Sequence, residues 1–151
     1  TSSDRDWSSD VCSSDLILAV LMPIVANQAG NTGQQALAIM IRQLATERFD
    51  RKRSWIAVLR EAKIGLLSGL LIATLVFLVV MAVSGIPILA MVMALALGLD
   101  MLLGALAGAS IPLVLRALGR DPAQASSIFL TTITDSMGFF LLLGLAQLIL
   151  L

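Results

Sequence analysis

Apolar residues run along this chain in long unbroken blocks rather than alternating with polar ones. Residues 64–83 form a twenty-residue stretch without a charge, and 16–41 carries none either. The block 86–115 is interrupted only by Asp100, and 122–151 only by Asp135. A helix that crosses the hydrocarbon core of a bilayer needs about 20 apolar residues. The pattern therefore predicts four membrane helices, over roughly 16–45, 58–84, 88–118 and 123–150. The expected fold class is all-α, an integral membrane helical bundle.

The breaks between the blocks have recognisable turn chemistry. Gly85-Ile86-Pro87 and Gly119-Arg120-Asp121-Pro122 read as tight turns, and Asp121-Pro122 is a helix start signal. Residues 46–55 are polar and basic and read as a loop or a short surface helix. Gly65 and Gly69 form a small-xxx-small pair, which favours close helix packing. The first block differs from the others. Pro23 and the string Asn27-Gln28-Ala29-Gly30-Asn31-Thr32-Gly33-Gln34-Gln35 lie inside it. Proline removes a helix donor and glycine weakens a helix, so a broken helix is expected here. Amides at membrane depth are tolerated where they face protein or water.

Residues 1–15 belong to neither pattern. Ser-Ser-Asp recurs at 2–4, 8–10 and 13–15, and the segment reads like translated adapter sequence. It is set aside as a non-native or disordered tail, with 16–151 as the membrane domain.

Composition agrees with a bilayer environment: 58% of the residues are hydrophobic and 13% charged, against roughly 25% charged in soluble domains. The net charge is zero, but seven of the ten basic residues fall between Arg42 and Lys63, and Arg116 and Arg120 share a later loop. Short loops rich in Lys and Arg stay cytoplasmic. Both basic loops, near 46–57 and 116–122, are therefore expected on the cytoplasmic face of a plasma or inner membrane, with the C-terminus outside. No long basic face suggests a nucleic-acid partner. The single cysteine, Cys12, cannot form an internal disulfide, and the absence of His removes imidazole bases and ligands. Met81, Met91, Met93 and Met101 read as lipid-facing or packing residues, since no thiolate or imidazole accompanies them.

The membrane carboxylates carry the sharpest chemical signal, because Asp at a helix centre costs on the order of 2.5–3.5 kcal/mol to insert. Asp135 sits in Thr131-Thr132-Ile133-Thr134-Asp135-Ser136, a strip of oxygens on an otherwise apolar helix. Such oxygens suit hard cations such as magnesium or calcium. The amide segment 30–35 offers a second polar region. Asp100 either lines a pathway or sits near one end of a long tilted helix. Glu61, between Arg60 and Lys63, reads from charge pattern as an interfacial carboxylate.

In combination these strings resemble the membrane domain of MgtE-type magnesium channels. Met22-Pro23-Ile24-Val25, Gly30-Asn31-Thr32-Gly33-Gln34-Gln35-Ala36 and Ile41-Arg42-Gln43-Leu44-Ala45 are similar to the second membrane helix of that family. Glu61, Gly65 and Gly69 resemble the start of its third. Gly104, Gly108, Pro112, Arg116, Gly119, Asp121-Pro122-Ala123, Ser126, Thr131-Thr132, Asp135 and Gly138 resemble its fourth and fifth. The resemblance implies a homodimeric pore for passive influx, with Asp135 facing a largely hydrated magnesium ion, the transported species; other divalent cations are possible. Oxygens near Asn31 and at Thr131 would complete the site, and Glu61 would stand at the cytoplasmic mouth. Gly30, Gly33, Gln34, Thr134 and Asp100 are expected to line the pathway. The chain would then hold four spans of a five-span domain, without the first span or the N-terminal regulatory and CBS domains. Asp100 falls on no motif of that family.

Two other readings compete. Asp100 and Asp135 on neighbouring spans could form the pair of an intramembrane aspartyl protease, although neither a Gly-x-Gly-Asp string nor a Tyr accompanies them. A non-transporting membrane scaffold is the second. The expectation is a transport protein rather than an enzyme.

Overall fold

The computed structural model describes residues 3–46 and 50–150. Four helices follow one another: α1 (Ser3–Thr46), α2 (Arg51–Ser84), α3 (Pro87–Ala117) and α4 (Pro122–Leu150). Three of them are long and apolar enough to cross a membrane by length and composition, at Lys52–Ser84, Pro87–Ala117 and Pro122–Ile149. Among the described residues no strand is present.

Local chemistry sets the helix ends. Asp50 caps α2, its carboxylate accepting the Lys52 N–H at 3.2 Å. Gly85 closes the same helix in the left-handed region at φ 67°, which only glycine adopts without strain. Pro87 then occupies the first turn of α3, where its missing N–H costs nothing. At the next turn Gly119 takes φ 73°, and the Asp121 carboxylate accepts the Ala123 N–H at 3.0 Å to start α4.

One sequence expectation is resolved and another changes. The second helix begins at Arg51, so of the two readings of 46–55 the helical one holds for Ser54 and Trp55, which run directly into the apolar span from 58. The Asp50 cap is the reason, since it supplies an acceptor for an otherwise orphan N–H of the first turn. Arg48, within the expected loop, lies outside the described residues. The first helix is also unbroken through 27–35. Pro23 stays inside it, and Thr32 returns its hydroxyl to the Gln28 carbonyl at 3.1 Å. The expected division at 15/16 falls inside α1, where the side chains up to residue 15 lie outside those described.

The helix α3 is the hub of the bundle. It packs against each of the other three, α1 also packs along α4, and α1 barely meets α2. The physical cause is a surface of small residues. A Cβ added to Gly108 would strike the Gly33 carbonyl oxygen, and one on Gly104 would lie 2.5 Å from the Ala29 oxygen. The α1 and α3 backbones are therefore in contact. Gly65 and Gly69 do the same for α2, meeting Ala105 and Gly98. Around these contacts, Leu89, Val92, Met93, Leu97 and Leu142 form one buried core, and Met40, Val58 and Ala109 a second. Outward, α2 and α4 present Leu67, Leu71, Leu78, Ile128 and Phe140, all exposed. Contact with lipid or another membrane helix is the environment that suits such a surface.

Candidate cation site

The amide strip of α1 and the hydroxyl strip of α4 meet. Gln34 Nε2 donates to Ser127 Oγ at 2.9 Å. One turn further along, a Cβ on Gly30 would lie 3.7 Å from Thr134 Oγ1. Both contacts follow from periodicity: 30 and 34 are one helical turn apart on α1, and 127, 131 and 134 lie on one side of α4.

The three threonine hydroxyls of this strip donate their protons to their own helix. Thr131 donates to Ser127 O at 3.0 Å, Thr132 to Ile128 O at 2.9 Å, and Thr134 to Leu130 O at 3.1 Å. Their lone pairs stay available, which makes this strip an acceptor surface. Thr131 is exposed, Thr134 buried, and Asp135 half-buried beside it. A cation meeting this face would find a carboxylate flanked by hydroxyl oxygens, a donor set suited to magnesium or calcium.

Asn31 and Glu61 belong to a different place. Because α1 and α2 scarcely touch, a cleft of about 620 Å³ opens between them, floored by Met101 and Ala105 of α3. Its polar lining is Gln28, Asn31, Thr32, Gln35, Glu61 and Ser68, and Gln34 also reaches it. Glu61 is only 5% exposed, so it is a cleft residue rather than a solvated interfacial one. Helical hydrogen bonding occupies the carbonyls around Asn31, so its side-chain amide is what it offers the cleft. Gln28 and Gln35 belong to the amide string without an assigned role, and Ser68 stands outside every motif. Their signal was present in the spacing of 28, 31, 32 and 35 on one helical face.

Gly33 and Asp100 have other surroundings than a pore lining. Gly33 is buried against α3, where a Cβ would lie 2.8 Å from both the Gly104 oxygen and Leu130 Cδ1. Its role in the structure is to let two backbones approach. Asp100 lies mid-way along α3, not near its end, and is 0% exposed. Its carboxylate packs on α4, so that a Cβ on Gly138 would fall 2.5 Å from Asp100 Oδ2. Water and a peptide substrate have no access to a group enclosed in this way, which removes the support for a protease pair. Among the described residues, no group of three or more Cys, Asp or Glu gathers as a ready metal cage.

Both basic segments lie at one end of the bundle. The Arg116 guanidinium donates to the Leu44 carbonyl, tying the end of α3 to the end of α1. Ser54 and Trp55 of α2 line a shared pocket with Leu113 and Ala117 of α3.

Comparison with known proteins matches residues 22–145 to the model of a family described as MgtE, divalent cation transporter. The chain is 40% identical over 136 residues to a magnesium transporter MgtE of Thermus thermophilus, covering 88% of this chain and 29% of that protein. It is 34% identical over 129 residues to one of Bacillus subtilis, covering 85% of this chain and 29% of the relative. A third, from Enterococcus faecalis, is 33% identical over 133 residues. The chain thus spans about 29% of the length of the curated relatives it matches.

Proposed function

Since this chain belongs to the MgtE family of divalent cation transporters, we propose that its helices form the ion pathway of a magnesium transporter that admits the ion passively through a homodimeric pore. The observation that carries the reading is the junction of the two polar strips, with the half-buried Asp135 next to Thr134 where α4 meets α1. The names of the relatives, magnesium transporters in three bacteria, support the choice of ion.

Magnesium holds its octahedral water shell tightly, at about 2.0–2.1 Å. A face with one carboxylate and several hydroxyl oxygens suits a hydrated ion, because it binds the shell without stripping it. One Asp135 per chain is little charge for a divalent ion. A two-fold axis beside α4 brings a second copy to the same ion through an isologous contact. Gly104 and Gly108 are not free for that contact, being occupied by α1. The exposed α4 surface on the side of Asp135, at Ile128, Thr131 and Phe139, is the better candidate. The α1–α2 cleft, with Glu61 and the amides, forms the approach from the cytoplasmic end. Inward movement of two charges across an inside-negative potential gains about 4.6 kcal/mol per 100 mV, twice the single-charge value, so no further energy source is required.

Uptake into vesicles tests the assignment. Asp135→Ala should abolish magnesium uptake or its selectivity over other divalent ions. Unchanged uptake and selectivity in that variant would sink it.

A further inference from the structure

The end of the bundle that carries the basic segments also holds an apolar groove. It lies between α2 and α3, has a volume of about 360 Å³, and runs from Ala117 past Val114 and Leu113 to Ser110. Seven helical steps make that length roughly 10 Å. On the α2 side it is walled by Trp55 and Val58. Ser54, the polar group of that wall, turns its hydroxyl back to the Asp50 carbonyl at 3.0 Å. The groove therefore offers mainly hydrocarbon contact. Its surroundings are apolar too, since Ile56, Leu59 and Leu118 are exposed. The mouth is basic. Arg51 and Lys52 precede Trp55 by four and three positions, one helical turn, and Arg120 follows Ala117 by three. Lys52 and Arg120 are exposed. Residues 50–60 hold four basic side chains against Asp50 alone. Asp50 and Asp121 each accept a backbone N–H, from Lys52 and Ala123.

We propose that this groove binds an anionic phospholipid of the surrounding bilayer, with one acyl chain along α3 beside Trp55 and the phosphate held by Lys52 and Arg120. The site is independent of where the ion passes. Shape fixes its place: the volume lies at the small end of the roughly 300–1,000 Å³ common for ligand pockets, enough for part of one chain. Shape alone does not select a lipid, because lipid tails are as apolar as leucine and cover the rest of the bundle equally well. Charge makes the selection. One Lys or Arg near a membrane surface favours an anionic lipid about fivefold, so two at the mouth give a preference of about 25-fold over a neutral lipid. Trp55, 64% exposed, suits the same depth, since its ring packs on hydrocarbon while its indole N–H reaches the headgroups. A second copy of the chain is a poorer occupant. An isologous contact here would set one basic end against the other.

The test uses Trp55 as its own reporter. Trp7→Phe leaves it the single tryptophan of the chain. The full chain is reconstituted in phosphatidylcholine vesicles and titrated with phosphatidylglycerol brominated on its acyl chains, and separately with brominated phosphatidylcholine. Bromine quenches indole fluorescence on contact, so the readout does not require transport. Half-maximal quenching by phosphatidylglycerol is expected at a mole fraction about 25-fold lower, a preference that falls to about fivefold in Lys52→Gln or Arg120→Gln. Ala117→Phe fills the groove from an exposed position and should abolish the preference. Leu71→Phe, on the exposed face of α2 away from the groove, should keep it. Thermal melts in detergent check that each variant is folded. Equal quenching by the two lipids overturns the proposal. A preference that survives Ala117→Phe also overturns it, because the lipid would then belong to a diffuse basic annulus. Absence of quenching by either lipid does the same, since protein would then fill the groove. If Ala117→Phe does not fold, the charge variants decide: an unchanged preference in both defeats the site.

Discussion

Gly138 leaves the space that the Asp100 carboxylate occupies. A methyl group on Gly138 would lie 2.5 Å from Asp100 Oδ2 and 3.4 Å from Ala26 Cα, so Gly138→Ala overpacks the α1–α3–α4 junction. The expected cost is about 1–3 kcal/mol, read as a lower melting temperature in detergent. In an Asp100→Ala background the oxygen is gone and most of that cost should disappear; equal losses in both backgrounds would show that the clash lies elsewhere. Sequence alone reads Gly138 as one small residue after Asp135. The carboxylate that makes it necessary sits 38 positions earlier on another helix (138 − 100), which no local pattern reports.

At the scale of helices, the glycines divide by what they face. Gly108 faces the Gly33 carbonyl oxygen, while nothing lies within 4 Å of the position a Cβ would take on Gly144. Gly108→Ala must push α1 off α3 and should destabilise by about 1–3 kcal/mol. Gly144→Ala adds helix propensity and should be neutral or stabilising by up to about 1 kcal/mol. Thermal melts of the two variants side by side check the contrast; similar melting temperatures would contradict the α1–α3 backbone contact. Spacing alone makes the Gly65/Gly69 pair legible, because small residues four apart mark a packing face. Which helix that face meets is not legible from spacing, and it proves to be α3 at Gly98, Met101 and Ala105. The unbroken α1 is not legible either. Pro23 and two glycines argue locally for a break, yet the packing of Val25, Ala29, Ala36 and Met40 in the bundle holds the helix together.

For the whole molecule, the topology places the 46–51 and 117–122 connections at one end and the Gly85-Ile86 turn at the other. Trp55, exposed beside Lys52 and Arg53, has the character of an interfacial anchor at the first of these ends. In a Cys12→Ser background, Ser54→Cys and Asp121→Cys should react with an impermeant thiol reagent from the cytoplasmic side, and Ile86→Cys only from the opposite side. Labelling of all three from one side would refute the orientation. Dimer formation belongs to this scale as well. Single cysteines along the exposed α4 face that carries Asp135, at Ile128 or Phe139, should cross-link between copies if that face meets the two-fold axis, whereas cysteines on the exposed α2 face, at Leu67 or Leu71, should not.

The sequence by itself determined the membrane class, the four helices and their turns, because these depend on local quantities: charge-free length, an Asp or Pro at a helix start, a Gly at a left-handed turn. It also picked out Asp135 with its hydroxyl strip and the amides of α1, since polar atoms in an apolar block are visible one residue at a time. Tertiary structure alone decided the neighbours. It joined Gln34 to Ser127, turned Gly33 toward α3, put Asn31 and Glu61 into a cleft apart from Asp135, and enclosed Asp100 against Gly138. The physical reason is that four apolar helices look alike to lipid along most of their lengths. Where small residues allow backbones to touch determines which faces are sealed and which polar groups end up side by side, and those contacts link residues far apart in the chain.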